Sequence, residues 1–324
     1  MKKQLSFTDM EYSQRKRVTK REEFLNMMDE IIRWDDWVKE VEPYSPASGR
    51  RGCQPKDIET MLRMILLQSW FNLSDEGVED AIYDSYAMKR FMGLDFGREQ
   101  VPDATTLCRF RKRLTENGIQ QQLFEAINRF LNEHGKIMHG GSIVDATIIE
   151  APQSTKNAKR ERDPEMHSVK KREKWYFGMR VGIGVDAGTG YVHHVTGYAA
   201  NVAEVKSSQA LLREDDTVVY GDSAYLGIEK YLTDNVKRDY RICRNMGVYQ
   251  RYRKGELSYR LENEFVEQPK RRTRKKVEYV FHIVKDIFHW RKTRYKGIEK
   301  NTAYASLLFA SANLYMCAKA GGLA

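Results

Sequence analysis

Cysteine is scarce in this chain of 324 residues, and the four present (Cys53, Cys108, Cys243 and Cys317) form no C-x-x-C pair. That scatter argues against a zinc ribbon or a disulfide framework and fits a reducing compartment. The seven histidines show no metal-ligand spacing, and His193 and His194, adjacent on a predicted strand, point to opposite faces. No run approaches the ~18 apolar residues of a membrane span, and the start, MKKQLSFTDMEYSQRKR, lacks the apolar core of a signal peptide. No internal repeat is visible. The expectation is a soluble, cytoplasmic protein of two domains or one large one.

Basic charge is present in surplus, and it is local. Residues 1–140 carry 22 Lys/Arg against 23 Asp/Glu, whereas the remainder carries 33 against 22. Within it, Lys237 to Lys300 holds 20 basic and 8 acidic residues, a net of +12. A positive field concentrated in this way suits a phosphate backbone better than general solubility.

The first half reads as helical. A polar, basic arm over residues 1–21 precedes helical periodicity from Glu22 to Val41, and PYSPASGRRGCQP (43–55) is a turn-rich connector. Asp57 to Phe71 is apolar almost all round in its second half, which predicts a central helix, and Ser74 opens another that runs to about Met92. In VPDATTLCRFRKRL, Leu107, Phe110 and Leu114 share one face, leaving Arg109, Arg111, Lys112 and Arg113 outward. Arg109 and Arg113 are therefore candidates for DNA contact from a recognition helix, although a basic helix face is also simply well solvated. Gln120 to Glu133 closes this half.

From Gly141 strands take over. Ser142 to Ile149 reads as a buried strand, Thr155 to Trp175 as a polar, basic loop, and YFGMRVGIGVDAGTGYVHHVTGYAA as two strands about a DAGTG turn. A helix over Val202 to Arg213, a strand over Thr217 to Tyr225, a helix over Ile228 to Asn235 and a short strand YRICR follow. Residues 245–269 carry no clear signal, and helices are expected over Lys275 to Trp290 and Asn301 to Ala320. This order describes an α/β layered sheet behind an all-helical N-terminal domain, with a boundary at residues 140/141.

Two carboxylates are out of place in that pattern. Asp145 sits inside the apolar strand IVDATII, where a charge is costly unless it is paired or binds a metal. Asp222 ends the apolar strand TVVYGD, and open α/β sheets place their chemistry at strand ends. Asp186, in the DAGTG turn, is most simply a turn former. A third acid is sought after KRRTRKK (270–276), where six of seven residues are basic. At ~100° per residue, Arg274, Glu278 and Lys285 fall within an arc of about 40° beside an apolar stripe, where a docked helix could aim a carboxylate at the strand ends. Glu262, Glu264, Glu267 and Glu299 are alternatives nearby, and an ordinary Arg–Glu helix pair explains the spacing equally well. Three carboxylates without histidine or cysteine suit Mg²⁺ or Mn²⁺, and two such ions can drive a phosphodiester displacement. The residues thus describe a metal-dependent nucleic-acid phosphoryl transferase.

The segments IVDATIIEAP (143–152), STKN (154–157), RDPEMH (162–167), KWYFGMR (174–180), GDSAY (221–225), KVEYVFHIVK (276–285) and RYKGIEKN (294–301) resemble transposases of the insertion-sequence five (IS-five) family, within the IS-four-like DDE group. SFTDMEYSQRKR, ETMLR, NLSDEGVEDAIY and PDATTL in the first half resemble it too. The resemblance implies a ribonuclease-H-like mixed sheet flanked by helices. It puts Asp145, Asp222 and Glu278 on the three acidic positions, with separations of 77 and 56 residues. It also implies two Mg²⁺ or Mn²⁺ ions, cleavage by water at the element ends, and attack of the freed 3′-hydroxyl on target DNA. Asp145 would bridge both ions, with Asp222 and Glu278 each holding one. Arg274 and Lys285 match the arginine and lysine of the family's Tyr–Arg–Glu–Lys signature and would touch phosphate, with Lys275 and Lys276 beside them. Arg271 stands where the tyrosine belongs, and Tyr279-Val280 replaces the His-Pro often found after the glutamate. Partners implied are double-stranded DNA (terminal inverted repeats and target) and a second copy in a dimer or larger synaptic complex, nucleoid-associated when bound. A nuclease of the same fold without strand transfer, or a DNA-binding regulator descended from a transposase, are the alternatives.

Overall fold

The computed structural model describes residues 14–46, 54–97, 99–244 and 261–322. The first thirteen residues of the expected N-terminal arm, most of the 43–55 connector and most of the unassigned 245–269 stretch lie outside the described residues.

The helical half comprises α1 (Lys20–Ile31), α2 (Trp34–Val41), α3 (Ile58–Trp70), α4 (Asp75–Asp84), α5 (Tyr86–Met92), α6 (Ala104–Glu116) and α7 (Ile119–Glu133). Two helices expected to be continuous are broken. Ile32 takes an extended conformation between α1 and α2, where the Trp34 indole donates to Asp29 at 2.9 Å and Arg63 stacks on the Trp34 ring at 3.9 Å. Ser85 does the same between α4 and α5 and accepts the Met88 N–H. Local polar bonds mark both breaks, a side-chain pair at the first and a backbone cap at the second, and apolar periodicity does not carry that signal. α3 is buried along its second half, as its apolar composition requires.

The second half is a mixed sheet. Its strands are β1 (Ser142–Glu150), β2 (His167–Lys171), β3 (Lys174–Asp186), β4 (Val192–Ala199), β5 (Val218–Gly221) and β6 (Asp239–Ile242), in the order β2-β3-β1-β5-β6 with β4 also on β3. β1 is central: it runs antiparallel to β3, with Asp145 opposite Ile183, and parallel to β5, with Ile143 opposite Tyr220. β2 corrects the loop expected over Thr155–Trp175; its residues are exposed on both faces, so no alternation marks it. The expected helices over 202–213 and 228–235 are 3-10 segments, Glu204–Leu211 and Ile228–Tyr231. Two helices close the chain, α8 (Gln268–His282), which continues through a π turn over Ile283–Ile287, and α9 (Ile298–Lys319).

Hydrophobic burial joins the halves. Leu25, Met28 and Leu66 from the helices belong to one core with Ile143, Val181, Val280 and Phe309, and the Phe24 and Phe288 rings meet at 6.2 Å. This core lies on the face of the sheet covered by α8 and α9. On the opposite face Val144, Val219 and Tyr225 pack with Val205, Leu211 and Ile228 from the 3-10 segments. Both faces of the sheet are therefore covered, and among the described residues its strand ends and the outer part of the β2–β3 hairpin remain open.

A buried polar network seals the end of the sheet where β1 begins. The Ser142 hydroxyl donates to Asp216 at 2.6 Å and lies 2.7 Å from His193 Nε2, while Arg213 bridges Asp216 and Asp186. Burial first, then the Arg213 charge, holds His193 well below the ordinary 6.5, and burial lowers His194 as well. Below pH 6.5 the unfolded chain binds protons that the folded chain refuses, so stability is full above that pH and falls as pH drops. The urea midpoint should be lower at about pH 5.5 than at about pH 7.5, and His193→Gln should reduce that slope. An unchanged slope in the variant would remove His193 from the account.

Candidate active site

Asp145 lies halfway along the central strand, 8% exposed, with Oδ1 accepting the Ala146 N–H at 2.8 Å. Asp222 follows the last residue of β5, half-buried, and accepts the Ala224 N–H at 2.8 Å, capping a short 3-10 turn. Parallel pairing of β1 with β5 brings the two acids to the same crevice. Burial pushes the Asp145 carboxyl up; the Arg274 charge pulls it down, and the Asp222 charge adds to the push. The α8 helix crosses this crevice. Its Arg274 places Nη2 3.0 Å from Asp145 Oδ2, and the charges of both aspartates act on the guanidinium.

Glu278 sits one helical turn after Arg274 on α8, with its side chain exposed. Lys285, in the π turn, donates to the Ile148 carbonyl of β1 at 3.3 Å. The helix face between Arg274 and Lys285 therefore runs along β1 from Asp145 to Ile148, and Glu278 lies within that span. The regular 100° phase holds only to His282, because the π turn widens the helix just before Lys285. Burial lowers the Lys285 pKa, and among neighbouring charges Lys171 of the β2–β3 hairpin contributes most. The alternative Glu267 is 1% exposed, but it accepts the Arg244 N–H at 3.0 Å and pairs with Lys270 at 3.0 Å.

Other basic candidates separate. Lys275 is exposed, as is Arg109 on α6, and Arg113 is half-buried. Lys276 instead donates to the carbonyls of Ala187 and Gly188 at 2.6 Å, tying α8 to the DAGTG turn. Arg111, expected to face outward, pairs with Asp75 at 2.6 Å and stacks on Tyr295 at 5.0 Å. It joins the helical half to the segment that follows α8, which explains why an arginine on a basic stripe turns inward.

Two features were not anticipated from sequence. Glu204, opening the 3-10 segment after β4, pairs with Arg180 at 3.2 Å. Its carboxyl is pushed up by burial, then drawn down by Arg180, with the charges of Asp222 and Asp145 pushing it up again. An acid after AANVA shows no periodicity, so nothing local marked it. The second feature is a clasp between RDPEMH and RYKGIEKN. Asp163 accepts the Gly297 N–H and Glu165 the Ile298 N–H, each at 2.7 Å, at the start of α9. Fully buried Asn301 accepts the Arg294 and Tyr295 N–H groups at 3.0 and 3.2 Å and donates to the carbonyls of Tyr295 and Gly297. This fixes the segment whose Thr293 N–H bonds Glu150 at the end of β1.

A carboxylate midway along the central strand and another just past the end of its parallel neighbour, beneath a basic helix, fit hard divalent cations by donor type. Among the described residues, however, no three of His, Cys, Asp and Glu stand together as a metal site. Arg274 supplies the positive charge beside Asp145, and Glu278 points outward. The class this defines is a ribonuclease-H-like phosphoryl transferase acting on nucleic acid. The family model for the transposase DDE domain matches residues 137–314, and that for a transposase domain (DUF772) matches residues 12–113. The chain belongs to the DDE transposases, enzymes of insertion sequences that act on DNA and use divalent metal ions. No solved structure matches it. Among the described residues no helix is long and apolar enough to cross a membrane.

Proposed function

We propose that this transposase cuts DNA at the ends of its insertion sequence and joins the freed 3′ end to a target, with Asp145, Asp222 and Glu278 as its metal ligands. The observation that carries this reading is the crevice between β1 and β5, where Asp145 and Asp222 face Arg274 from α8. Mg²⁺ or Mn²⁺, bound as a pair, would supply activation of the attacking oxygen and charge neutralisation at the leaving one. Glu278, on the helix face that touches β1 on either side of it, would be the third residue to hold the ions. Arg274 pairs with Asp145 and would offer its remaining N–H groups to a phosphate oxygen beside the carboxylate. Lys285, held at Ile148, steers a second phosphate toward the strand end. The exposed Lys275 and, farther away, Arg109 and Arg113 extend the positive surface along the duplex. Two element ends are paired by two copies of the chain.

Incubating labelled duplexes that carry the inverted repeats flanking the gene with a supercoiled plasmid tests this reading. Transposition yields label covalently joined to plasmid in the presence of Mg²⁺ or Mn²⁺. Nicked ends that never join would instead support a nuclease, and binding without any cleavage would support a regulator.

A further inference from the structure

The outer end of the β2–β3 hairpin lacks a core face. β1 pairs with β3 only from Gly178 onward and β4 only from Met179, and the Phe177 carbonyl accepts the Ala151 N–H, so Lys174 to Tyr176 pair with β2 alone. The outer end is a two-stranded ribbon, a form that is marginal in water without a third layer. Lys170, Lys171, Arg172, Lys174 and Trp175 are all exposed there, and Trp175 is 68% exposed. Register divides them between faces: Lys171 lies opposite Lys174, and Lys170 opposite Trp175. Adjacent residues alternate, so both faces of the ribbon carry cations and one adds an indole. Lysine alone would be explained as protection of a sheet edge against other strands. An exposed tryptophan would not, since it adds apolar surface where edge protection removes it.

We infer that this ribbon enters the major groove of the DNA duplex beside the cleavage point. A major groove is wide enough for a two-stranded β-ribbon and has phosphates along both walls, which matches cations on both faces. Trp175 then meets base edges or thymine methyls on the floor of the groove, where an apolar side chain can discriminate among bases. The ribbon is continuous with the proposed active site. β3 carries Ile183 opposite Asp145, and Lys174 is nine residues away, so the tip is at most roughly 30 Å from Asp145 at the strand rise. That is within one turn of the duplex, about 34 Å. This inference rests on the transposase reading above and adds to it a place on the DNA and a source of sequence preference.

Guanine-N7 methylation interference on the same inverted-repeat duplexes tests it, with binding followed as a function of salt. Wild-type protein should show interference in the major groove within the first ~10 base pairs from the cut. Trp175→Ala should lose that interference and bind roughly tenfold more weakly with an unchanged salt slope. Lys171→Ala with Lys174→Ala should lower the slope by about two, one for each phosphate contact. Circular-dichroism melting should be unaltered, because these side chains are exposed. Asp145→Ala should abolish cleavage yet keep the interference, which separates the ribbon from the catalytic site. Wild-type interference retained in both ribbon variants, with cleavage still dependent on Asp145, overturns the groove assignment alone. Loss of self-association in sedimentation, with interference unchanged, would make the ribbon a contact between copies and likewise overturn it.

Discussion

Replacing Asp145, Asp222 or Glu278 with alanine lowers cleavage of element-end DNA by at least about a thousandfold, while affinity for the same duplex stays within a few fold. The two effects separate because the acids hold the ions that act on the reacting phosphate, whereas affinity comes from a dispersed basic surface. Asp145→Asn sharpens the test. It preserves shape and an acceptor for Arg274, but removes a buried charge whose carboxyl is already pushed up by burial. Burial pushes the Asp145 carboxyl up, and Asp145 in turn raises the Arg274 pKa against the pull of burial. The cost of the buried charge and the loss of its partner therefore oppose each other, and the asparagine variant should remain folded, as circular dichroism will show. A variant that is inactive and fully folded would match a site that trades stability for chemistry. Cleavage at wild-type rate by any one of the three variants would remove that residue from the ligand set.

Asn301→Ala should have the largest effect on stability. The side chain is fully buried and satisfies two N–H groups and two carbonyls of residues 294–297. Alanine leaves four backbone groups without partners in a space closed to water, a loss of roughly 3–5 kcal/mol when neighbouring groups relax only in part. Because Thr293 bonds Glu150 and Arg294 reaches the Leu73 carbonyl, the damage should spread to the end of β1 and the junction with the helical half. Chemical denaturation measures the drop, and hydrogen exchange at residues 291–297 should rise with it. A midpoint close to that of wild type would show that water or another side chain replaces the amide.

The fold was legible where burial imposes a period. The central strand, the DAGTG hairpin, the apolar α3 and the closing α9 follow from runs of apolar residues bounded by glycine or proline. β2 was not, because a ribbon exposed on both faces has no alternation to read. The helix breaks at Ile32 and Ser85 escaped for a related reason: they turn on local polar bonds, which leave the apolar pattern intact. The segments at Glu204 and Ile228 kept a helical pattern but wind as tighter 3-10 turns, a difference that side-chain spacing over four to eight residues does not carry.

The site was legible in part. Asp145 and Asp222 stood out because each contradicts its surroundings, and the structure brings them to one crevice with Arg274. Lys276 could not be separated from its neighbours in KRRTRKK by composition, and only packing shows that it is tied to Ala187 and Gly188. Glu204 was invisible because its place beside the acids depends on how β4 returns to the sheet. Glu278 lies on the expected helix face, and its side chain is exposed.

Anomalous diffraction from crystals of the protein bound to its end DNA and soaked in Mn²⁺ tests the central claim most directly. Two manganese peaks are expected about 3.5–4 Å apart, held by Asp145, Asp222 and Glu278. Manganese held by Asp145, Asp222 and Glu204, with Glu278 still facing solvent, would contradict it.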